Sequence, residues 1–325
     1  MMKKIKILII IKQFADKWPK HKHKYDMITA VEEFAEVKYW HTSGDIINIL
    51  KDIKFIPDFI LHYDIEWNYS YSPLITGLDK VNIPKGFYIL DIHYSKKNRI
   101  KYFGKNKIDL IFSASRSPFL NVFPQYKDEF RWMPFSINTN IIKDWGLNKD
   151  IDYLLMGQFY YKDKINPPKR LPPKGRYIFR EFVYSKMKEK KEFIFHPHPG
   201  HYALPSKDLI VNEKYAQELN RSKMFFTCGS IFKAPVAKFF EAPGCKTLLL
   251  AKPNKDIFNL GFKDGVNFVA CDEFDFYDKA MYYIRNKKER ERITNNGYKL
   301  IHNYHTNRVR AQQFIKYIDD FLCNK

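Results

Sequence analysis

The sequence predicts an α/β protein of two doubly wound domains that face each other across a cleft, and three observations predict it. Short β-branched or aliphatic runs alternate with amphipathic stretches in the strand–helix–strand rhythm of a parallel sheet. The rhythm runs twice, separated by a stretch around 133–149 with few long apolar runs. The 325 residues, 45% hydrophobic and 17% aromatic, hold enough apolar material for a core in each of about two domains.

In the first half, Ile5–Ile11 reads as a strand buried on both faces. A helix is expected over Asp26–Ala35 with Asp26 as its N-cap, and a second over Asp45–Lys54 capped by Ser43. Val37–Trp40, Phe59–Tyr63, Gly86–Ile92 and Ile108–Phe112 complete the first series of strands. The second series opens with Tyr153–Met156 and Gly157. A Pro- and Lys-rich loop follows, then a helix near Tyr177–Lys190 and the strand Phe193–Phe195, which ends in His-Pro-His-Pro-Gly-His. Met224–Thr227, Thr247–Leu250 and Phe268–Cys271 are further strands, and the chain closes with helices over Phe276–Asn286, Lys288–Asn303 and Arg308–Phe321. The expected domains are 1–145 and 146–305, with 306–325 a helix crossing back to the first.

Lys and Arg number 56 against 36 Asp and Glu, a net charge of +20. That balance favours anionic partners, nucleotide phosphates and nucleic acid among them, although a Lys- and Asn-rich composition produces the same excess without function. Four scattered cysteines form no C-x-x-C pair, so zinc-knuckle and redox chemistry are unsupported. The apolar run after the basic start is short and ends at Lys12, which favours a buried strand over a leader. No run approaches the 18 or so apolar residues of a membrane span. A cytoplasmic protein with reduced thiols is the expectation.

The densest motif signal lies late in the chain. Ser222-Lys-Met-Phe-Phe-Thr-Cys-Gly-Ser230 is followed by Lys238-Phe-Phe-Glu-Ala-Pro-Gly-Cys245, Leu260-Gly-Phe-Lys-Asp-Gly265, Asn296-Gly-Tyr298 and Tyr304-His-Thr-Asn-Arg308. A strand, a Gly-Ser turn and a helix start with a carboxylate on the helix suit a nucleoside diphosphate. The helix N-terminus favours phosphate, and the carboxylate can accept from ribose hydroxyls.

These segments, over 213–315, resemble in order and spacing the C-terminal domain of the GT-B glycosyltransferases, group 1 superfamily, and within it the spore-maturation (CgeB-type) branch. The resemblance implies two Rossmann-like domains, a nucleoside diphosphate sugar (UDP-linked) bound mainly by the C-terminal domain, an acceptor bound mainly by the N-terminal domain, and no obligatory metal or other cofactor. It places Glu241 on the donor ribose. Where the family has a further Glu eight residues earlier, this chain has Lys233, which can reach a phosphate instead. Gly157, Gly229, Ser230, Lys238 and, in the basic loop, Arg170 are the other donor-side candidates. An ordinary surface-helix glutamate and a solvated basic loop are the bland alternatives.

His196, His198 and His201 lack a nearby Asp, Glu or Cys to complete a metal set, so His196 and His198 read as contacts to the donor. Asp91 and His93 end a predicted buried strand. A glycosyl transfer needs a base for the acceptor hydroxyl, and His oriented by Asp supplies one. Asp64 and Glu66 are similar candidates. Ser115 and Arg116 lie in a polar turn that can hold the acceptor, and His21 and His23 read as a solvated basic loop. The expected activity is metal-independent hexosyl transfer to a glycan, polymer or small molecule. A hydroxylated DNA base as acceptor, or a degenerate binding protein, are the rivals.

Overall fold

The computed structural model describes residues 4–161 and 171–324, without the side chains of residues 67 and 68. The chain divides into two compact units, Met1–Pro134 with Asn307–Lys325, and Phe135–Thr306.

The first unit is built on a parallel sheet of β1 (Lys6–Ile10), β2 (Glu36–Trp40), β4 (Phe59–Tyr63), β6 (Lys85–Ile89), β7 (Leu110–Ser113) and β8 (Phe130–Trp132), in the order β2-β1-β4-β6-β7-β8. A two-stranded pair, β3 (Gly44–Asp45) and β5 (Ile75–Thr76), flanks it. β4 and β6 are buried along their full length, as strands covered on both faces must be. The helix Asn307–Cys323 covers one face through Ala311, Phe314 and Ile318, with the Phe314 ring 4.8 Å from that of Phe112.

Two local expectations are corrected. The first long helix is Lys22–Thr29, continued by a 3-10 turn Ala30–Glu33, so Asp26 lies inside it. Pro19 opens a 3-10 turn that starts the helical path early, and the Asp26 carboxylate takes the Lys22 ammonium at 2.5 Å. The next helix, Ile46–Ile53, is capped by Asp45, which accepts from the Ile47 N–H, whereas the Ser43 hydroxyl accepts from Leu74 N–H.

The second unit repeats the plan with β9 (Ile151–Gly157), β10 (Phe193–Pro197), β11 (Ser222–Cys228), β12 (Leu248–Lys252) and β13 (Val269–Ala270), all parallel, in the order β10-β9-β11-β12-β13. Both sheets reverse their winding direction beside their first strand. In open parallel sheets that reversal leaves a crevice at the carboxyl ends of the two central strands, β1 and β4 in one unit, β9 and β11 in the other.

Candidate functional site

In the second unit, β9 ends at Gly157 with φ +151°, a conformation side chains rarely adopt. A Cβ there would lie 3.2 Å from the Lys238 ammonium and 3.3 Å from Nη1 of Arg180. Two cations thus converge on the backbone at the carboxyl end of the central strand. Lys238 Nζ donates to Met156 O at 2.7 Å. Arg180 donates from Nη1 to Gln158 O at 3.0 Å and from Nη2 to Cys228 O at 3.4 Å, joining the ends of β9 and β11. Burial, and then the Arg180 charge, push Lys238 down to about 7, with Glu241 opposing.

Beside these cations, Gly229 (φ −70°, ψ 18°) and Ser230 (φ 56°) follow β11. A tight turn of this kind, with a positive φ directly after the glycine, can turn successive N–H groups toward one concave side, a cradle for anions. Lys233 ends the following turn, Ser230–Phe232, exposed and left-handed at φ 52°. The helix carrying Glu241 is Lys238–Gly244, because the 3-10 turn and the Pro235 segment use up the residues between Ser230 and Lys238. Glu241 therefore sits in its first turn. Seven residues make a weak dipole, so side-chain cations carry the positive charge here. The Glu241 carboxylate accepts from the Tyr215 hydroxyl at 2.8 Å.

His196 is bonded through Nε2 to Glu218 at 2.8 Å, and Glu218 also takes Arg221 at 2.7 Å. The Nδ1 of His198 accepts from Gly200 N–H at 3.0 Å, and its ring lies 4.9 Å from that of His201. Arg170 lies outside the described residues.

In the first unit, the loop after β6 holds Asp91 and the exposed His93, with Asp91 Oδ1 accepting from the His93 backbone N–H at 3.1 Å. Partial burial lowers the His93 imidazole; Asp91 opposes and Arg99 adds to the effect. Asp64, at the end of β4, is fully buried and ion-paired to the equally buried Arg99 at 2.6 Å. It is therefore part of the scaffold and not an exposed base. His21 is likewise corrected: it is 1% exposed and bonded to the Tyr71 hydroxyl at 3.0 Å, because the helical turn after Pro19 rolls it inward. Lys24 faces the same end of the sheet, lowered to about 8 by burial while Asp91 and Asp64 pull it up. Ser115 precedes the helix Arg116–Val122, its N–H donating to Ser113 Oγ at 3.4 Å, and exposed Arg116 lies 5.5 Å over the Trp132 ring.

Arg180, Tyr215, Arg99 and Lys24 escape the sequence reading. Arg180 left a usable signal. With Val183 and Met187 it occupies buried positions at helical spacing, and an arginine on an apolar stripe needs a reason.

Residues 180–316 match a family model described as glycosyl transferase-like. No curated protein matches the chain. Among solved structures, HepE of Anabaena in complex with UDP and glucose is similar, with a TM-score of 0.61 at 11% identity over 97% of this chain and 100% of that one. The sucrose-phosphate synthase of Thermosynechococcus elongatus gives 0.61 at 9% identity over 99% and 100%. A glycosyltransferase of Rickettsia africae gives 0.60 at 9% over 99% and 100%. The chain has the GT-B fold and carries a glycosyl transferase-like segment over residues 180–316.

Proposed function

We propose that this protein is a glycosyltransferase that moves a hexosyl group from a nucleoside diphosphate sugar to an acceptor hydroxyl. The observation that carries the reading is the convergence of Arg180 and Lys238 on Gly157 at the crevice of the second sheet, beside the Gly229–Ser230 cradle. Those cations suit a diphosphate. Glu241, at the start of the next helix, suits the ribose hydroxyls. A UDP-linked donor is the first choice because HepE was crystallised with UDP-glucose. The motif order over 213–315 supports the spore-maturation branch within the superfamily. Two fixed cations at the diphosphate support transfer without a metal.

In the reaction the acceptor oxygen bonds to the anomeric carbon as the bond from that carbon to the phosphate oxygen breaks. The nucleoside diphosphate leaves with the electron pair. The acceptor hydroxyl proton passes to His93 or Asp91, and Ser115 and Arg116 contribute to holding the acceptor. Lys233 and His198 are assigned to the rim of the donor site.

A thermal-shift and calorimetry panel tests the assignment. A nucleoside diphosphate at 100 times its dissociation constant stabilises by about 2.7 kcal/mol. The cognate base should stand out, diphosphate should exceed monophosphate, and Lys238→Met should remove the difference. Hydrolysis of the sugar nucleotide that continues in EDTA supports metal independence. A protein that binds no nucleotide in the panel is not a glycosyltransferase of this kind.

A further inference from the structure

We propose that Arg99 is a positioning residue that fixes the loop bearing Asp91 and His93 in its reactive shape. This rests on the glycosyltransferase reading above. Arg99 reaches that loop from the helix Lys96–Asn106. Its guanidinium is completely buried, as is the Asp64 carboxylate it meets at 2.6 Å. Asp64 is itself fully engaged: Oδ2 also accepts from Leu90 N–H at 2.9 Å, and Oδ1 accepts from Glu66 N–H at 3.2 Å. From the other side of the fork, Nη1 of Arg99 donates to the carbonyls of Asp91 and Tyr94, the latter at 2.6 Å.

One planar group therefore ties Asp64, at the end of β4, to two points of the segment 90–94, and Asp64 itself holds a third, the Leu90 N–H. The segment has little remaining freedom. Ser95 reverses it in a left-handed conformation at φ 48°, and Arg99 N–H returns to Ser95 O at 3.0 Å. Asp91 Oδ1 takes the His93 backbone N–H at 3.1 Å, so fixing the two carbonyls also sets the Asp91 carboxylate and the backbone from which the His93 imidazole projects.

Stability alone explains this poorly. A buried ion pair is often no better than apolar residues of the same volume, because both charges lose their hydration. Here Nε of Arg99 is in addition left without a partner among the described residues. What the fork does provide is a single loop geometry at the carboxyl edge of the sheet. A lysine cannot reproduce it, since one ammonium cannot present the planar, parallel donors that reach carboxylate and carbonyls together.

The test uses the full chain with Arg99→Lys, and with His93→Ala and Asp91→Asn as controls on the underlying reading. Transfer or sugar-nucleotide hydrolysis gives kcat and KM, calorimetry gives donor Kd, and kcat is followed against pH. We expect Arg99→Lys to lower kcat by tenfold or more, to leave donor Kd within about twofold, and to shift the acid limb of the pH profile. A wild-type kcat and pH profile in Arg99→Lys, with His93→Ala or Asp91→Asn impaired, overturns the role of Arg99 alone. Full activity in both controls shows that the loop is not catalytic and overturns the proposal while the transferase reading stands; a wild-type protein with neither transfer nor hydrolysis overturns the transferase reading itself. Should the lysine variant not fold, Arg99→Ala with added guanidinium replaces it. Recovery of kcat that saturates with guanidinium supports the role, and folding restored without kcat overturns it.

Discussion

A carboxylate in the first turn of a helix, held at 2.8 Å by a tyrosine hydroxyl, is oriented as well as charged. Burial and then Glu241 push the Tyr215 phenol well above its ordinary range, so the phenol stays a donor at every working pH. Glu241→Gln should therefore weaken donor binding by about 1.5–3 kcal/mol, the range for hydrogen bonds to a charged group. Tyr215→Phe should cost less and leave the fold intact; calorimetry and melting on both variants check this. Lys238 adds a second residue-scale expectation. With its ammonium lowered to about 7, much of the free protein is neutral there at pH 8. An arriving diphosphate favours the charged form, so binding takes up a proton and affinity falls as pH rises above about 7. Calorimetry at pH 8 in buffers of different ionisation heat should show that uptake, and Lys238→Met should abolish it; equal uptake in the variant removes Lys238 from the site. Glu241 and Lys238 were legible because they stand in a motif. Tyr215 was not, and Arg180 showed only as an arginine on an apolar stripe, because the place of each is set by a tertiary approach between elements distant in sequence, Arg180 to Gln158 and Cys228, Tyr215 to Glu241.

Among the elements, the central strands were legible, since runs such as Phe59–Tyr63 are apolar enough to be buried on both faces. The edge strand Phe130–Trp132 was not: three half-buried residues with an arginine in the middle give no pattern. The start of the first long helix was displaced because a 3-10 turn, Pro19–His21, runs directly into Lys22. The helix Lys287–Tyr304 shows how tightly the second unit is packed. A Cβ on Gly297 would lie 2.6 Å from the carbonyl oxygen of Asn267 and 3.2 Å from Cβ of Pro243. Ala is ordinarily better than Gly inside a helix by about 1 kcal/mol. Here the obstacle is backbone, which cannot swing aside, and overpacking of this kind costs about 1–3 kcal/mol. Gly297→Ala is thus expected to lower the melting temperature. A raised melting temperature would mean that the helix can slide off the 267 turn.

For the whole molecule, the +20 charge and the buried titratable groups make separate statements about solution conditions. A polyanionic acceptor such as DNA would show log K falling with log salt at about −0.9 per phosphate contact. A flat response in a filter-binding series would leave the excess charge as composition. The buried groups fix how stability follows pH. Burial lowers Lys24 and Lys149 to about 8 and Lys238 to about 7, all from an ordinary 10.5. Between those values the unfolded chain holds protons that the fold has released, so the stability slope with pH is positive there. His62, lowered by burial to about 4, acts in the same direction between 4 and 6.5. Easing of self-repulsion as the net positive charge falls adds to it. Above 10 the sign reverses. Burial raises the Tyr63, Tyr88 and Tyr102 phenols, so the fold keeps protons that the unfolded chain gives up, and stability is lost as they ionise. The apparent melting temperature should therefore climb from pH 5 to about 9 and decline beyond 10. Lys149→Met should flatten the climb between 8 and 10, because that ammonium is held by two carbonyls, Ser222 O at 3.0 Å and Lys246 O at 2.7 Å, and no acid among the described residues is bonded to it. A melting temperature that falls steadily from pH 7 to 9 would show that these lysines are hydrated and charged throughout, and with them the buried state assigned to Lys238 would be lost.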